Sequence, residues 1–392
     1  MAAETGYPLE GLKVLDFSRV LAGPFAGRML SDLGAEVVKV EPPEGDTSRL
    51  WGRIHAGVAG YFNMVNAGKQ SIAIDLRAPG AQALVLALVR QADVLVENFR
   101  PDVMPRLGLG YATLAAANPK LIMLSISGFG HNGPESQRPA YAPIVHAELG
   151  LIDRTARLKG PRVDLPLSVA DTNAGLHGLV ALLSAVIMRT RTGLGQHIDM
   201  AMMDATLMCD DQLHFELEDA EATRNLPPDL WETGAGPILV SADFRWLWKL
   251  LTTKFGVNDP TTPEMELDAR IAARRATVAA FMQSLASWDA VEDAMDRMNL
   301  AWGRVRAGKD LREQPTLAHR KSIVDIDDRA GGTRPILQSP YRFSHATSGV
   351  RAGAPHKGEH TDAILRDWLA LTDAEIAALD ANGVLARNGA IA

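Results

Sequence analysis

The chain has 392 residues, 47% of them apolar and 22% charged, a balance that excludes disorder and fits about two globular domains. With 40 basic and 47 acidic residues the net charge is -7, without long blocks of one sign, so there is no footprint for nucleic acid or an anionic membrane. Cys209 is the only cysteine, which excludes an intrachain disulfide and a thiolate metal cluster.

In chain order, Met1-Ala2-Ala3-Glu4-Thr5-Gly6 lacks the basic start and apolar core of a signal peptide. The longest apolar stretch, around 178–188, falls short of the ~20 residues that span a bilayer, so a cytoplasmic protein is expected. Lys13 to Phe17 reads as a strand, and Pro24 suits the first turn of a helix that runs to Leu33 and stops at Gly34. Further strands are expected at 36–41, 71–76, 93–97 and 121–127, with an amphipathic helix at 79–91. Strands alternating with helices imply βαβ units and a largely parallel sheet covered on both faces.

Leu165-Pro166-Leu167 is read as the end of an extended run, followed by a helix over 172–191, a strand at 196–200 and a helix from Met202. The acidic stretch 218–230, with Pro227-Pro228, reads as a linker. A strand and a Trp-rich helix follow at 236–254, and 268–298 is helical. Gly, Thr and Pro at 331–340 suggest a second linker before a short β segment at Tyr341-Arg342-Phe343. The tail over 362–379 reads as two helices split at Thr372, a cap with Glu375 three residues on.

Asp171 is the leading candidate for chemistry. A carboxylate at a strand-to-helix junction faces the positive end of the helix dipole, which favours its charged form and suits a nucleophile toward an activated acyl group. Aspartate is also among the commonest helix N-caps, so the local sequence leaves both roles open. After the first strand, Ser18-Arg19-Val20-Leu21-Ala22-Gly23-Pro24 is not G-x-G-x-x-G, and its proline removes an amide needed near pyrophosphate. No P-loop, G-x-S-x-G or H-E-x-x-H pattern occurs, so neither a nicotinamide cofactor nor a metal is expected.

Several long motifs in fixed order carry a resemblance. They are Gly11-Leu12-Lys13-Val14-Leu15-Asp16-Phe17-Ser18 with Ala22-Gly23-Pro24, Leu33-Gly34-Ala35-Glu36, and Asn66-Ala67-Gly68-Lys69. Glu97-Asn98-Phe99-Arg100-Pro101, Gly128-Phe129-Gly130 with Gly133-Pro134, Ala170-Asp171 with Gly175, and Gly358-Glu359-His360-Thr361 continue it. Over almost its whole length the chain resembles class III CoA-transferases, the relatives of formyl-CoA and carnitine CoA-transferases and of α-methylacyl-CoA racemase.

The resemblance implies an α/β fold. A large Rossmann-like domain has its parallel sheet built from both chain ends, residues 1–216 and 341–392. A smaller middle α+β domain covers 236–330, with linkers at 217–235 and 331–340. An interlocked homodimer is also implied. Coenzyme A or acyl-CoA, bound as substrate, would contact Val20, Leu21, Ile74, Arg77, Asn98, Phe99, Arg106 and Leu107. The two arginines suit bidentate phosphate contacts, although a solvated surface position is the plain alternative for each.

Asp171 matches the family's nucleophile, which forms a mixed anhydride and then an aspartyl-CoA thioester that a small carboxylic acid resolves. The racemase branch instead pairs the aspartate with a histidine to exchange the proton α to the thioester. Here that position holds Tyr141, whose phenol, with an ordinary pKa near ~10, is a poor base, so transfer is expected over racemisation. Tyr141 and His146 are substrate-pocket candidates, and Glu148 is a further carboxylate. No long glycine-rich loop covers the aspartate; Thr233-Gly234-Ala235-Gly236-Pro237 comes nearest, and Trp231 or a partner subunit would have to shield the anhydride. Trp246, Trp248 and Trp302 suit either an acyl pocket or a domain core.

Overall fold

The computed structural model describes residues 6–218 and 229–387. Contacts divide the chain into two compact units: Met1–Asp211 with His319–Ala392, and Gln212–Ala318.

In the larger unit, six strands form one parallel sheet: β1 (Lys13–Asp16), β2 (Glu36–Glu41), β3 (Gln70–Ala73), β4 (Val94–Glu97), β5 (Ile122–Ser127) and β6 (Gln196–Ala201). Their order is β3-β2-β1-β4-β5-β6, the doubly wound arrangement. The register sets Val14 opposite both Val37 and Val94. Neighbouring residues point to opposite faces, and both faces are buried, so these strands read as nearly continuous apolar runs. Val14, Val37, Val94 and Ile122 pack with Leu30, Ala174 and Leu182 on one face. Leu15, Val38, Ile72 and Leu95 pack with Leu84, Leu88, Ile364 and Trp368 on the other.

The helices that cover the sheet include α1 (Ala22–Asp32), α2 (Gly60–Asn66), α3 (Ala81–Gln91), α4 (Tyr111–Ala117), α5 (Ala142–Glu148), α6 (Val169–Thr192) and α7 (Met202–Met208). α6 begins three residues earlier than expected, and Leu165-Pro166-Leu167 before it is not a strand. At 24 residues and a mean hydropathy of 1.3 over its most apolar stretch, α6 is by length and composition long enough to cross a bilayer, beyond the shorter run read from the sequence. One face of it packs on β5, β6, α1 and α7.

The smaller unit has an antiparallel sheet, β9-β8-β7, from β7 (Asp229–Thr233), β8 (Gly236–Ser241) and β9 (Ala301–Arg304). Its core joins Trp231, Ile238 and Val240 to Leu247 and Trp248 of α8 (Phe244–Phe255), Met282 of α9 (Leu267–Ser284) and Met295 of α10 (Trp288–Met298). Trp231 and Trp248 therefore serve packing, Trp302 lies against the same core, and Trp246 is exposed. Thr233 to Gly236 is a tight turn: Thr233 Oγ1 accepts from the amides of Ala235 and Gly236. Of the first expected linker, residues 219–228 lie outside the described residues, and Asp229 onward is strand.

The second expected linker is instead a hairpin of β10 (Ile323–Asp327) and β11 (Thr333–Leu337). Asp328 Oδ1 closes its turn by accepting from the amides of Ala330 and Gly332. Pro335 is tolerated because a two-stranded ladder leaves one edge of each strand unpaired. This hairpin belongs to the larger unit, so the smaller unit ends at Ala318 rather than 330. Tyr341 to Phe343 is not a strand. The C-terminal segment adds α11 (Thr361–Leu369) and α12 (Asp373–Ala381), the latter with the expected capping box from Thr372 and Glu375. Both chain ends enter the larger unit, but all six sheet strands come from residues before 202; among the described residues the tail adds only the single bridge Ile74–Leu385.

Candidate active site

The strand order reverses between β1 and β4, and the loops leaving their C-terminal ends open a crevice there. The Asn98 side chain binds both sides of the Arg19 backbone: Oδ1 accepts from its N–H at 2.7 Å and Nδ2 donates to its C=O at 2.8 Å. That clamp holds Val20 at φ 65°, a left-handed conformation that costs a β-branched residue about 1–3 kcal/mol. The Val20 N–H donates to Asp46 Oδ2 at 3.2 Å. Gly23 permits the tight exit into α1, since a Cβ there would lie 2.2 Å from Ser18 Cβ.

A buried polar network fixes these loops. Lys39 Nζ donates to the Ser18 carbonyl at 2.7 Å and pairs with Asp46 at 3.1 Å. Lys69 pairs with Asp16 at 2.7 Å, both fully buried, and also donates to the Pro24 carbonyl and Asn66 Oδ1. Burial disfavours the Asp16 charge, but Lys69 and Lys39 outweigh it and hold the carboxyl below its usual range. Burial also pushes Lys69 down to about 8, against the pull of Asp16. Arg49 pairs with buried Glu41 at 2.6 Å.

Asp171 is the third residue of α6, not its cap; Ser168 holds that position and makes no side-chain bond. The amides of Ala142 and Ala22, the first residues of α5 and α1, donate toward its carboxyl group. Three helix starts thus meet at one carboxylate. Burial is nevertheless the larger influence: it pushes the pKa from 3.8 up to about 6, while the two amides oppose it. The helix ends therefore do not set the ionisation alone, as the sequence suggested; they limit a rise that desolvation causes. Gly175, one turn along, allows the approach of α1, because a Cβ there would stand 2.8 Å from the Ala22 carbonyl oxygen.

A cleft of about 230 Å³ brings Asp171 together with Val20, Asn98, Phe99 and Tyr141. Leu21 lies buried behind this wall as the residue before α1. Ile74 and Leu107 pack with the apolar core and do not line the cleft. Arg77 and Arg106 are exposed outside it, paired with Asp75 at 3.1 Å and Asp102 at 2.9 Å. His146 is fully buried and also outside the lining. Glu148 pairs with Arg138 at 2.5 Å.

Sequence reasoning missed three arginines in the lining: Arg19, Arg100 and Arg138. Arg19 stacks over Phe99 at 5.2 Å, and its Nε is buried without a hydrogen-bond partner. A basic residue next to Val20 in the first loop was the available signal. Among the described residues no group of three His, Cys, Asp or Glu is placed to hold a metal ion. The lining offers one carboxylate, converging amides, apolar walls and cations.

The family model described as CoA-transferase family III matches residues 9–361. A succinyl-CoA–D-citramalate CoA-transferase of Chloroflexus aurantiacus is 32% identical, over 96% of this chain and 98% of that protein. An acetyl-CoA:oxalate CoA-transferase of Acetobacter aceti is 34% identical, over 93% and 96%. A crystal structure of a CaiB/BaiF family protein from Brucella suis matches with a TM-score of 0.79 at 33% identity, over 93% of this chain and all of that one (100%). On a match that runs along most of its length, the chain belongs to CoA-transferase family III and is an enzyme of that class.

Proposed function

We propose that the enzyme moves CoA from an acyl-CoA to a small carboxylic acid, with Asp171 as covalent nucleophile. The observation that carries this reading is the setting of Asp171: it lines the cleft, amides face it, and among the described residues no lysine or arginine pairs with it. An ionised carboxylate without a counterion keeps its lone pairs for attack.

In the first step an Asp171 oxygen bonds to the thioester carbonyl carbon and the C–S bond breaks, giving a mixed anhydride and CoA thiolate. The thiolate attacks the aspartyl carbonyl, releases the donor's carboxylate and leaves an aspartyl-CoA thioester. The acceptor carboxylate attacks that thioester, forming a second anhydride and freeing the thiolate. The thiolate then takes the acceptor's acyl carbon and restores Asp171. The Ala22 and Ala142 amides are suited to stabilise the oxyanion formed when the aspartyl carbonyl is attacked, in the second and third steps. An anhydride is about as activated as a thioester, so no nucleotide hydrolysis is needed.

Tyr141 occupies the position of the racemase histidine, and the described residues of the lining include no imidazole, which supports transfer over α-proton exchange. The acceptors in the names of similar proteins, D-citramalate, oxalate and glutarate, support a small dicarboxylic acid. In this reading the CoA moiety runs past Val20, Leu21, Asn98 and Phe99, and its phosphates draw Arg77 and Arg106 from their surface partners. Ile74 and Leu107 support that wall from the core. The interlocked homodimer is part of the proposal, supported by an uncovered apolar face on α6 and α7: Leu176, Val180, Ile187, Met188, Leu207 and Met208 are exposed.

The test is a screen of succinyl-CoA, acetyl-CoA and related donors against these acids, with intact-mass detection of enzyme adducts for wild type and Asp171→Ala. Acyl or CoA mass on wild type alone, with loss of turnover in the variant, is expected. Normal turnover by Asp171→Ala would refute the mechanism.

A further inference from the structure

His146 sits one helical turn after Ala142 on α5, fully buried and outside the cleft. Both ring nitrogens are engaged. Nε2 lies 3.3 Å from the Ala170 backbone nitrogen, and since an amide N–H only donates, Nε2 is the acceptor and carries no proton. The neutral ring then bears its hydrogen on Nδ1 and donates it to Asp164 Oδ1 at 2.9 Å. Asp164 Oδ1 is itself fixed by the Leu165 N–H at 2.8 Å.

Ala170 is the second residue of α6 and the neighbour of Asp171. The Ser168 cap leaves the first turn of α6 without a side-chain bond, and a histidine from another helix takes over that duty. α5 therefore grips the start of α6 twice, through the Ala142 N–H toward the Asp171 carboxyl and through the His146 ring on the Ala170 N–H.

We propose that His146 is a positioning residue for Asp171, and that Asp164 locks the tautomer this requires. The inference rests on the reading of Asp171 as nucleophile; His146 itself touches no substrate. A ring protonated on Nε2, or an apolar side chain, cannot accept from Ala170, and a buried amide is then left without a partner. The first turn of α6 relaxes and the nucleophile leaves its line of attack. A displacement near 1 Å costs about 10²-fold in rate. Glutamine fits the same two partners, since its carbonyl accepts from Ala170 and its NH₂ donates to Asp164.

The experiment compares wild type, His146→Leu, His146→Gln and Asp164→Ala. It measures kcat and KM with the donor–acid pair that wild type turns over, and hydrogen exchange of the peptide 165–175 without substrate. The expected result for His146→Leu is a kcat lower by about 10²-fold with KM changed by less than about threefold, and faster exchange. His146→Gln should recover most of both, and Asp164→Ala should lose about tenfold in kcat with faster exchange. A folded His146→Leu with wild-type kcat, a loss confined to KM, or a glutamine variant no better than leucine would overturn the proposal. Should His146→Leu not fold, unchanged kcat and exchange in Asp164→Ala overturn it equally. If wild type transfers nothing, the transfer reading falls, while the exchange data still decide whether His146 holds the turn.

Discussion

Asp171→Asn should yield an inactive enzyme that is more stable than wild type at alkaline pH. Burial raises the carboxyl from 3.8 to about 6, so the protonated form is favoured by folding. The stability this group contributes is present below about pH 3.8 and is lost as pH rises through about 6. At 1.36 kcal/mol per pH unit, the charged form costs the fold about 3 kcal/mol at pH 8. Asparagine removes the charge but accepts less strongly from the Ala22 and Ala142 amides, which discounts the gain to about 1–2 kcal/mol. Lowering the pH to 4.5 protonates most of the wild type and should move the difference by about 2 kcal/mol toward wild type, which erases the variant's advantage. Urea unfolding at fixed protein concentration, run at both pH values, measures it. A variant less stable than wild type at pH 8, with a difference that does not change with pH, would refute the argument that desolvation dominates this site.

Transfer activity should follow the same group: kcat/KM falls about tenfold per pH unit below about 6, and a flat profile down to pH 5 would exclude an ionised Asp171 as the attacking group. Gly175→Ala drives a methyl into the Ala22 carbonyl, so it should cost about 1–3 kcal/mol in unfolding and lower kcat more than KM. Asn98→Ala removes both bonds to the Arg19 backbone and should raise KM for acyl-CoA while costing about 1–3 kcal/mol, read by steady-state kinetics and denaturant melts. Arg77→Ala, at an exposed position, should leave stability within about 0.5 kcal/mol and raise the acyl-CoA KM about tenfold; an unchanged KM removes this arginine from the phosphate contacts.

The parallel sheet was legible because each strand is a short apolar run closed by a helix start or a glycine stop, signals carried within a few residues. The 323–337 hairpin was not, because Gly331, Gly332 and Pro335 look like a breaker when the edge that tolerates the proline is unknown. At the site, Asp171 stood out by its place at a helix start, but its ionisation did not. The amides that face it come from residues 22 and 142, and the burial that raises it depends on how three helices close. His146 was visible only as an imidazole; its partners at 164 and 170 become neighbours through packing rather than spacing. Arg77 and Arg106 came from the family pattern alone, and the structure leaves them on the surface rather than in the cleft.

Asp16, Lys69, Lys39 and Asp46 make one wall of the crevice interdependent. Each has its counterion inside the protein, so altering one strands another in a medium of low polarity, at several kcal/mol per orphaned ion. Single substitutions there would be expected to break the enzyme before they retune it. Substitutions meant to change the substrate should begin at Ser136, Arg138 and Tyr141 of the lining, which lie outside this network.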